Sequence, residues 1–156
     1  MLRTHTCNEL NPDHIGQNVK LTGWIDTIRD HGGVLFVDLR DHYGVTQIVF
    51  SDDSLIAGMS KETVVLVEGT VTMRDEETVN PKISTGLIEV RAEKIEVLGP
   101  CQLGLPFEID ASTQTREEVR LKYRYLDLRN NKIHNNIVLR SKILSFLRRQ
   151  MEDMGF

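Results

Sequence analysis

A small closed β-barrel followed by a helical segment is the fold this sequence predicts, and three observations carry the prediction. Between residues 19 and 98 apolar side chains recur at every second position in five separated runs, the spacing of strands with one buried face. Glycines fall inside those runs, at Gly23 and Gly69, where a sheet that curls onto itself needs bends. Beyond Asn130 the apolar period lengthens to that of a helix.

The segment Asn11-Pro12-Asp13-His14-Ile15-Gly16 places a capping residue before Pro and then Gly, so it predicts one short helical turn. In the first strand Val19, Leu21 and Ile25 alternate with Lys20, Thr22 and Asp26, with Gly23 in phase. In the second, Leu35, Val37 and Leu39 alternate with Phe36, Asp38 and Arg40. Gly32-Gly33 makes the turn between them, and Asp41-His42-Tyr43-Gly44 leads to a third strand, Val45 to Phe50. Ser51-Asp52-Asp53-Ser54 caps a short helical stretch around Leu55 to Met59, which explains the acidic pair better than a metal site does. A fourth strand, Val64 to Arg74, turns Val65, Val67, Gly69, Val71 and Met73 inward and Glu68, Thr70, Thr72 and Arg74 outward. A polar loop, Asp75 to Gly86, precedes a fifth strand with Ile88, Val90 and Ala92 inward, then Ile95 and Val97, a slip of phase that predicts a bulge near Lys94. Together these elements describe an all-β, five-stranded Greek-key barrel of the OB type. Strand count alone fits an SH3-like barrel or an open meander as well.

Leu98-Gly99-Pro100 ends the barrel, and Cys101 to Ser112 has the low periodicity of a linker. Thr115-Arg116-Glu117-Glu118 is a capping-box sequence, in which the Thr115 hydroxyl accepts from the Glu118 N–H, so a helix should begin there. A longer helix follows Asn130 and ends at Gly155. Ile133, Ile137, Leu144, Leu147, Met151 and Met154 form one apolar stripe on it, widened by Leu139, Ile143 and Phe146. That stripe is too broad to leave in water and should pack on another chain or on residues outside this sequence. The expected boundaries are a barrel over 1–98, a hinge over 99–114 and a helical segment over 115–156.

Composition narrows the function classes. With 40% hydrophobic and 27% charged residues, 156 residues suit one compact domain and an appendage rather than a disordered tail. No apolar run approaches the ~20 residues needed to span a bilayer, and MLRTHTCNEL lacks the features of a signal peptide, so a cytoplasmic chain is expected. Cys7 and Cys101 read as ordinary reduced thiols, and no metal site is expected. Residues 1–115 carry 9 Lys+Arg against 18 Asp+Glu, whereas residues 116–156 carry 10 against 5. The first part therefore lacks the basic groove of a nonspecific nucleic-acid binder, and any nucleic acid there must be held by a few placed groups. The basic second part has the charge of a solvated helix face.

Phe36 is surplus to the inward set of its strand, which leaves an aromatic ring on the polar face beside Asp38 and Arg40. Barrels of this type bind oligonucleotides on the face of strands two and three, using rings as stacking platforms worth ~1–3 kcal/mol per base. Gln47 offers that face a donor and an acceptor, and Arg29, Arg74 and Glu89 also project from polar faces. Such a set could read a short unstacked RNA by its base edges. The blander alternative places Phe36 under the 75–86 loop and Arg29 and Arg74 in surface ion pairs.

The run Arg29-Asp30-His31-Gly32-Gly33-Val34-Leu35-Phe36-Val37-Asp38-Leu39-Arg40-Asp41, with Gly44-Val45-Thr46-Gln47, resembles the anticodon-binding OB domain of bacterial or organellar aspartyl-tRNA synthetases. Leu121-Lys122-Tyr123-Arg124-Tyr125-Leu126-Asp127-Leu128-Arg129 resembles the segment that enters the class II catalytic domain of the same family. The resemblance implies that Phe36 stacks on the middle anticodon base and Gln47 bonds its edge. It implies further that Arg29 contacts the third base or its backbone, Glu89 reads the first, and Arg74 holds the anticodon backbone. Thr78 and Asn80 stand at the RNA-contacting positions of the loop, and Thr72 where an additional Arg is common. His31 lies in the turn beside the first and third bases; family members with His there tend to charge tRNA(Asn) as well as tRNA(Asp), although a solvent-exposed turn residue would look the same. The long helix resembles that of the first class II motif, which makes the homodimer interface. ATP and Mg²⁺ would serve the parent enzyme at residues downstream of Phe156; no catalytic residue is expected here, and the fragment alone should be inactive. A stand-alone single-strand-binding module and a protein-interaction OB domain are the rival readings.

Overall fold

The computed structural model describes residues 2–101 and 104–156, with Asp53 described by its backbone only. Two compact units divide the chain, residues 1–103 and 104–156. The predicted 101–112 linker includes Gln102 and Leu103, which lie outside the described residues, as does the side chain of Asp53 in the predicted cap.

The first unit is the barrel. Its strands are β1 (Asn18–Asp30), β2 (Leu35–Arg40), β3 (Val45–Phe50), β4 (Val64–Met73) and β5 (Ile88–Gly99), closed in the order β1-β2-β3-β5-β4. All neighbours pair antiparallel except β3 and β5, which run parallel. The predicted alternation holds through the core: Val19, Leu21, Ile25, Val37, Leu39 and Ile48 are buried. Pro12–His14 forms the predicted single turn, capped by Asn11, and Asp52 accepts from the Ser54 N–H at the start of Asp53–Ile56. Gly23 permits the bend in β1, because a Cβ there would lie 2.4 Å from the Arg40 carbonyl oxygen.

Bulges at Asp26 and Glu93 set which side chains face out. On β1, Ile25 pairs with Leu39 but Thr27 pairs with Asp38, leaving Asp26 as the extra residue. The phase inverts there, so Ile28 turns toward the core and Arg29 toward solvent. The bulged Asp26 accepts from Arg40 Nε at 2.9 Å, and buried Arg40 also pairs with Glu62. On β5 the pairings Glu68 with Lys94 and Gly69 with Ala92 leave Glu93 extra, which is the predicted slip next to Lys94. The crowding makes Gly69 necessary: a Cβ there would sit 2.2 Å from the Arg91 carbonyl oxygen.

Three inside–outside expectations are corrected. Met73 and Val97 are 54% and 42% exposed; each lies near a strand end, where the barrel has no opposing layer to cover it. Arg74, expected outward, is 5% exposed, because the start of β5 and the 75–86 loop close around it: its Nε donates to the Ile88 carbonyl of β5 at 2.9 Å and its Nη1 to the Thr78 carbonyl of the loop at 3.4 Å.

The second unit holds α1 (Glu117–Lys122), α2 (Arg124–Asp127) and α3 (Asn131–Asp153). Phe107, Ile109 and Leu126 form its small core, so two apolar residues from the expected linker belong to that core. The capping box is absent: α1 has Arg116 at its N-cap with no side-chain cap bond, because Thr115 ends the preceding turn (Ser112–Gln114), its N–H bonded to the Ser112 carbonyl. Asn130 caps α3 as expected, accepting from the N–H groups of Lys132 and Ile133. It also ties α3 to the core segment by donating to the Ile109 carbonyl at 2.9 Å. No residue of α3 is buried, and Ile137, Leu144, Leu147 and Met151 are each about half exposed.

Candidate nucleic-acid interface

Strand register gathers the candidate residues onto one outer face. Arg29 pairs with Phe36, Asp38 with Gln47, and Thr72 with Glu89. Paired residues share a face, and Ile48 and Val90, which neighbour Gln47 and Glu89 in their strands, are wholly buried on the inner one. The outer face of β1, β2, β3 and β5 therefore presents Arg29, Phe36, Asp38, Gln47 and Glu89 together.

A continuous hydrogen-bonded row crosses those strands. Arg29 Nη2 donates to Asp38 Oδ1 at 2.8 Å and to Gln47 Oε1 at 3.3 Å, and Gln47 Nε2 donates to Glu89 Oε2 at 3.1 Å. The amide of Gln47 thus has its orientation dictated from both ends, since a guanidinium only donates and a carboxylate only accepts. Gln47 and Glu89 are buried although they face outward; they lie in the floor of a cleft rather than on its rim.

That cleft has a volume of about 530 Å³ and is lined by Arg29, His31, Phe36, Gln47, Arg74, Thr78 and Asn80. The half-buried ring of Phe36 meets the His31 imidazole edge to face, with centroids 5.5 Å apart. Arg74 also lines the cleft, and its Nη2 is buried with no hydrogen-bond partner among the described residues. Burial holds the Arg74 guanidinium below its usual range, while Glu89 and Asp38 act the other way. Burial likewise pushes the Asp38 carboxyl up, more than the charge and hydrogen bond of Arg29 pull it down. A stacking ring, an oriented amide and an unpartnered guanidinium nitrogen in one cleft can take a flat, hydrogen-bonding ligand such as a nucleobase.

Six of the seven residues singled out from the sequence, Arg29, His31, Phe36, Gln47, Arg74 and Asn80, line the cleft, and Glu89 joins it through Gln47. Asp38 was not among them. Its signal was available in the alternation, two residues from Phe36 on the same strand face.

Residues 19–98 match the family described as "OB-fold nucleic acid binding domain". The chain belongs to that family. Its OB-fold domain is followed by a match of residues 116–156 to "tRNA synthetases class II (D, K and N)". Over 99% of its length the chain is 48% identical to an aspartate–tRNA(Asp/Asn) ligase of Ehrlichia canis, covering 27% of that protein. It is 52% identical to the ligase of the same name from Orientia tsutsugamushi, again over 99% of its length and 26% of the relative. The chain thus spans about a quarter of the length of these curated relatives. Among solved structures, an asparaginyl-tRNA synthetase from Pyrococcus horikoshii complexed with asparaginyl-adenylate aligns with a TM-score of 0.79 at 25% identity, covering all of this chain and 36% of that one. An aspartyl-tRNA synthetase from Entamoeba histolytica aligns with a TM-score of 0.82 over 95% of this chain and 37% of its own; at 19% identity it shows the shared fold.

Proposed function

We propose that the OB-fold domain reads the anticodon of tRNA(Asp), and also of tRNA(Asn), as the selecting portion of an ATP-dependent aspartate–tRNA ligase. The observation that carries this reading is the Gln47 amide, held in one orientation between Arg29 and Glu89 beside the Phe36 ring. Nonspecific binders use charge and stacking, and an oriented amide adds little to either. A reader of base edges needs it, because donor and acceptor must stand in a known order.

In this reading the middle anticodon base stacks on Phe36 and bonds Gln47. Arg29 meets the third base or its backbone, Glu89 accepts from the first, and the Nη2 of Arg74 donates to the anticodon backbone. Thr78 and Asn80 close over the loop side, and His31 lies beside the position at which the tRNAs for Asp and Asn differ. Agreement with ligases named for both tRNAs supports a relaxed reader.

Aspartate activation with ATP and Mg²⁺ belongs to the parent enzyme in the cytoplasm. Among the described residues no three His, Cys, Asp or Glu side chains converge as a metal site would need. The α3 apolar face is proposed as the homodimer contact of the parent.

Calorimetric titration of the 156-residue chain with anticodon stem-loops tests the reading. The loops of tRNA(Asp) and tRNA(Asn) should bind, and a loop with its middle anticodon base replaced should bind at least tenfold more weakly. Equal affinity for all three would refute base reading.

A further inference from the structure

We propose that Asp38 is a positioning residue of this face, holding the guanidinium of Arg29 so that Arg29 in turn holds the amide of Gln47. The inference rests on the anticodon-reading function above and adds to it a residue that need not touch the RNA.

Asp38 lies on the outer face of β2, diagonally across from Arg29 and directly opposite Gln47 on β3. The Arg29 side chain is 42% exposed, and an arginine that open to water samples many rotamers. Among the described residues two acceptors restrain it, and both are served by the same nitrogen, Nη2. The bond to Asp38 is the shorter one and joins opposite charges, at 2.8 Å against 3.3 Å for the neutral Gln47 oxygen. Without the Asp38 carboxylate the guanidinium keeps only the weaker restraint.

The consequence falls on Gln47. A half-turn of its amide exchanges donor for acceptor and inverts the pattern offered to a base. Glu89 favours the observed orientation from one side and Arg29 from the other, so loosening Arg29 leaves that orientation half specified. The effect of Asp38 therefore reaches specificity through two hydrogen bonds.

An ordinary stabilising ion pair does not account for Asp38. Pairs that reach the surface contribute little to folding. Burial, opposed by Arg29 and Arg74 and reinforced by Asp26, leaves the Asp38 carboxyl above its usual range. Between the ordinary and the raised value the folded chain binds more protons than the unfolded one, so stability falls as pH rises through that window. At neutral pH the ionised Asp38 is therefore a cost to the barrel, and it is also a negative charge facing a polyanion. Both are understandable if the carboxylate is kept for what it holds.

The test compares the 156-residue chain with its Asp38→Asn and Asp38→Ala variants in three measurements: affinity for the tRNA(Asp) anticodon stem-loop, melting temperature, and nitrogen-15 NMR of the Arg29 guanidinium. Asp38→Asn should weaken binding about tenfold and shrink discrimination against the middle-base variant. Its melting temperature should be equal to or above that of the parent chain, and Asp38→Ala should follow the same pattern. The restricted guanidinium rotation of Arg29 in the free chain should become fast in both variants. Unchanged affinity, unchanged Arg29 rotation, or a melting temperature that falls in step with affinity would each overturn the proposal. An unmutated chain that binds no stem-loop would instead remove the anticodon reading, and the proposal with it.

Discussion

Replacing Phe36 by alanine separates a stacking residue from a core residue, because two phenylalanines of this barrel stand on opposite faces of adjacent strands. Phe50 on β3 is 1% exposed and belongs to the core cluster; truncating such a ring costs about 3–5 kcal/mol of stability. Phe36 on β2 is half-buried in the cleft, and its ring contact is the edge-to-face meeting with His31 at 5.5 Å. Losing that contact is worth about 1 kcal/mol, or roughly 4–8 °C of melting temperature in a domain of this size. The same truncation removes one base stack, about 1–3 kcal/mol, which lowers stem-loop affinity about 5- to 150-fold. Thermal melts followed by circular dichroism, together with titration of an anticodon stem-loop, measure both quantities on Phe36→Ala and Phe50→Ala. The reasoning fails if Phe36→Ala melts as early as Phe50→Ala, for then the ring is core. It fails equally if the folded variant binds as well as the parent.

Four further outcomes are expected. Because residues 1–115 carry twice as many acidic as basic side chains, stem-loop affinity should fall gently with salt; a slope near that of a protein making 6–10 phosphate contacts would favour a basic-groove binder. Gly69→Ala should lower the melting temperature and leave the fully folded protein's stem-loop affinity unchanged at low temperature, since the added Cβ meets the Arg91 carbonyl at 2.2 Å; an unshifted melt would refute the crowding. In the second unit, burial alone would raise the carboxyl of Asp127, but hydrogen bonds from Arg120 and the charges of Arg120 and Arg124 hold it below 3.8. Its stabilisation is therefore present above that value and lost as pH falls through the lowered one, so Asp127→Asn should flatten the acid limb of the α1–α2 unfolding curve measured by hydrogen exchange. Leu147→Glu, on the exposed apolar face of α3, should convert a self-associating chain to a monomer in sedimentation; a parent chain that is monomeric at high concentration would contradict the interface.

Much of this fold was legible in the chain because its signals are local. Alternation in β2 and β3 depends on nothing beyond neighbouring residues, and Leu35, Val37, Leu39, Ile48 and Phe50 are buried as the pattern requires. Asn130 caps α3 with its side chain, which accepts from backbone N–H groups two and three residues on. The site was legible for the same reason: Phe36 and Gln47 sit out of phase with an inner set already complete.

Long-range packing decided the rest. Arg29 reaches the outer face through a bulge at Asp26, and that bulge is stabilised by Arg40, a residue 14 positions away that also binds Glu62 on the approach to β4. Arg74 looked like an outward charge by phase, yet the Ile88 carbonyl of β5 and the Thr78 carbonyl of the returning 75–86 loop let it be buried. Met73 and Val97 have inward phase but no layer to cover them, and Thr115 has a capping sequence but serves as the end of the preceding turn. Sequence alone determined the strands, the cap of α3 and the out-of-phase polar residues, because each follows from chain neighbours and the period of the backbone. Only the tertiary structure decided that Arg29, Asp38, Gln47 and Glu89 form one hydrogen-bonded row, because strand register between segments up to 60 residues apart brings their side chains within bonding distance.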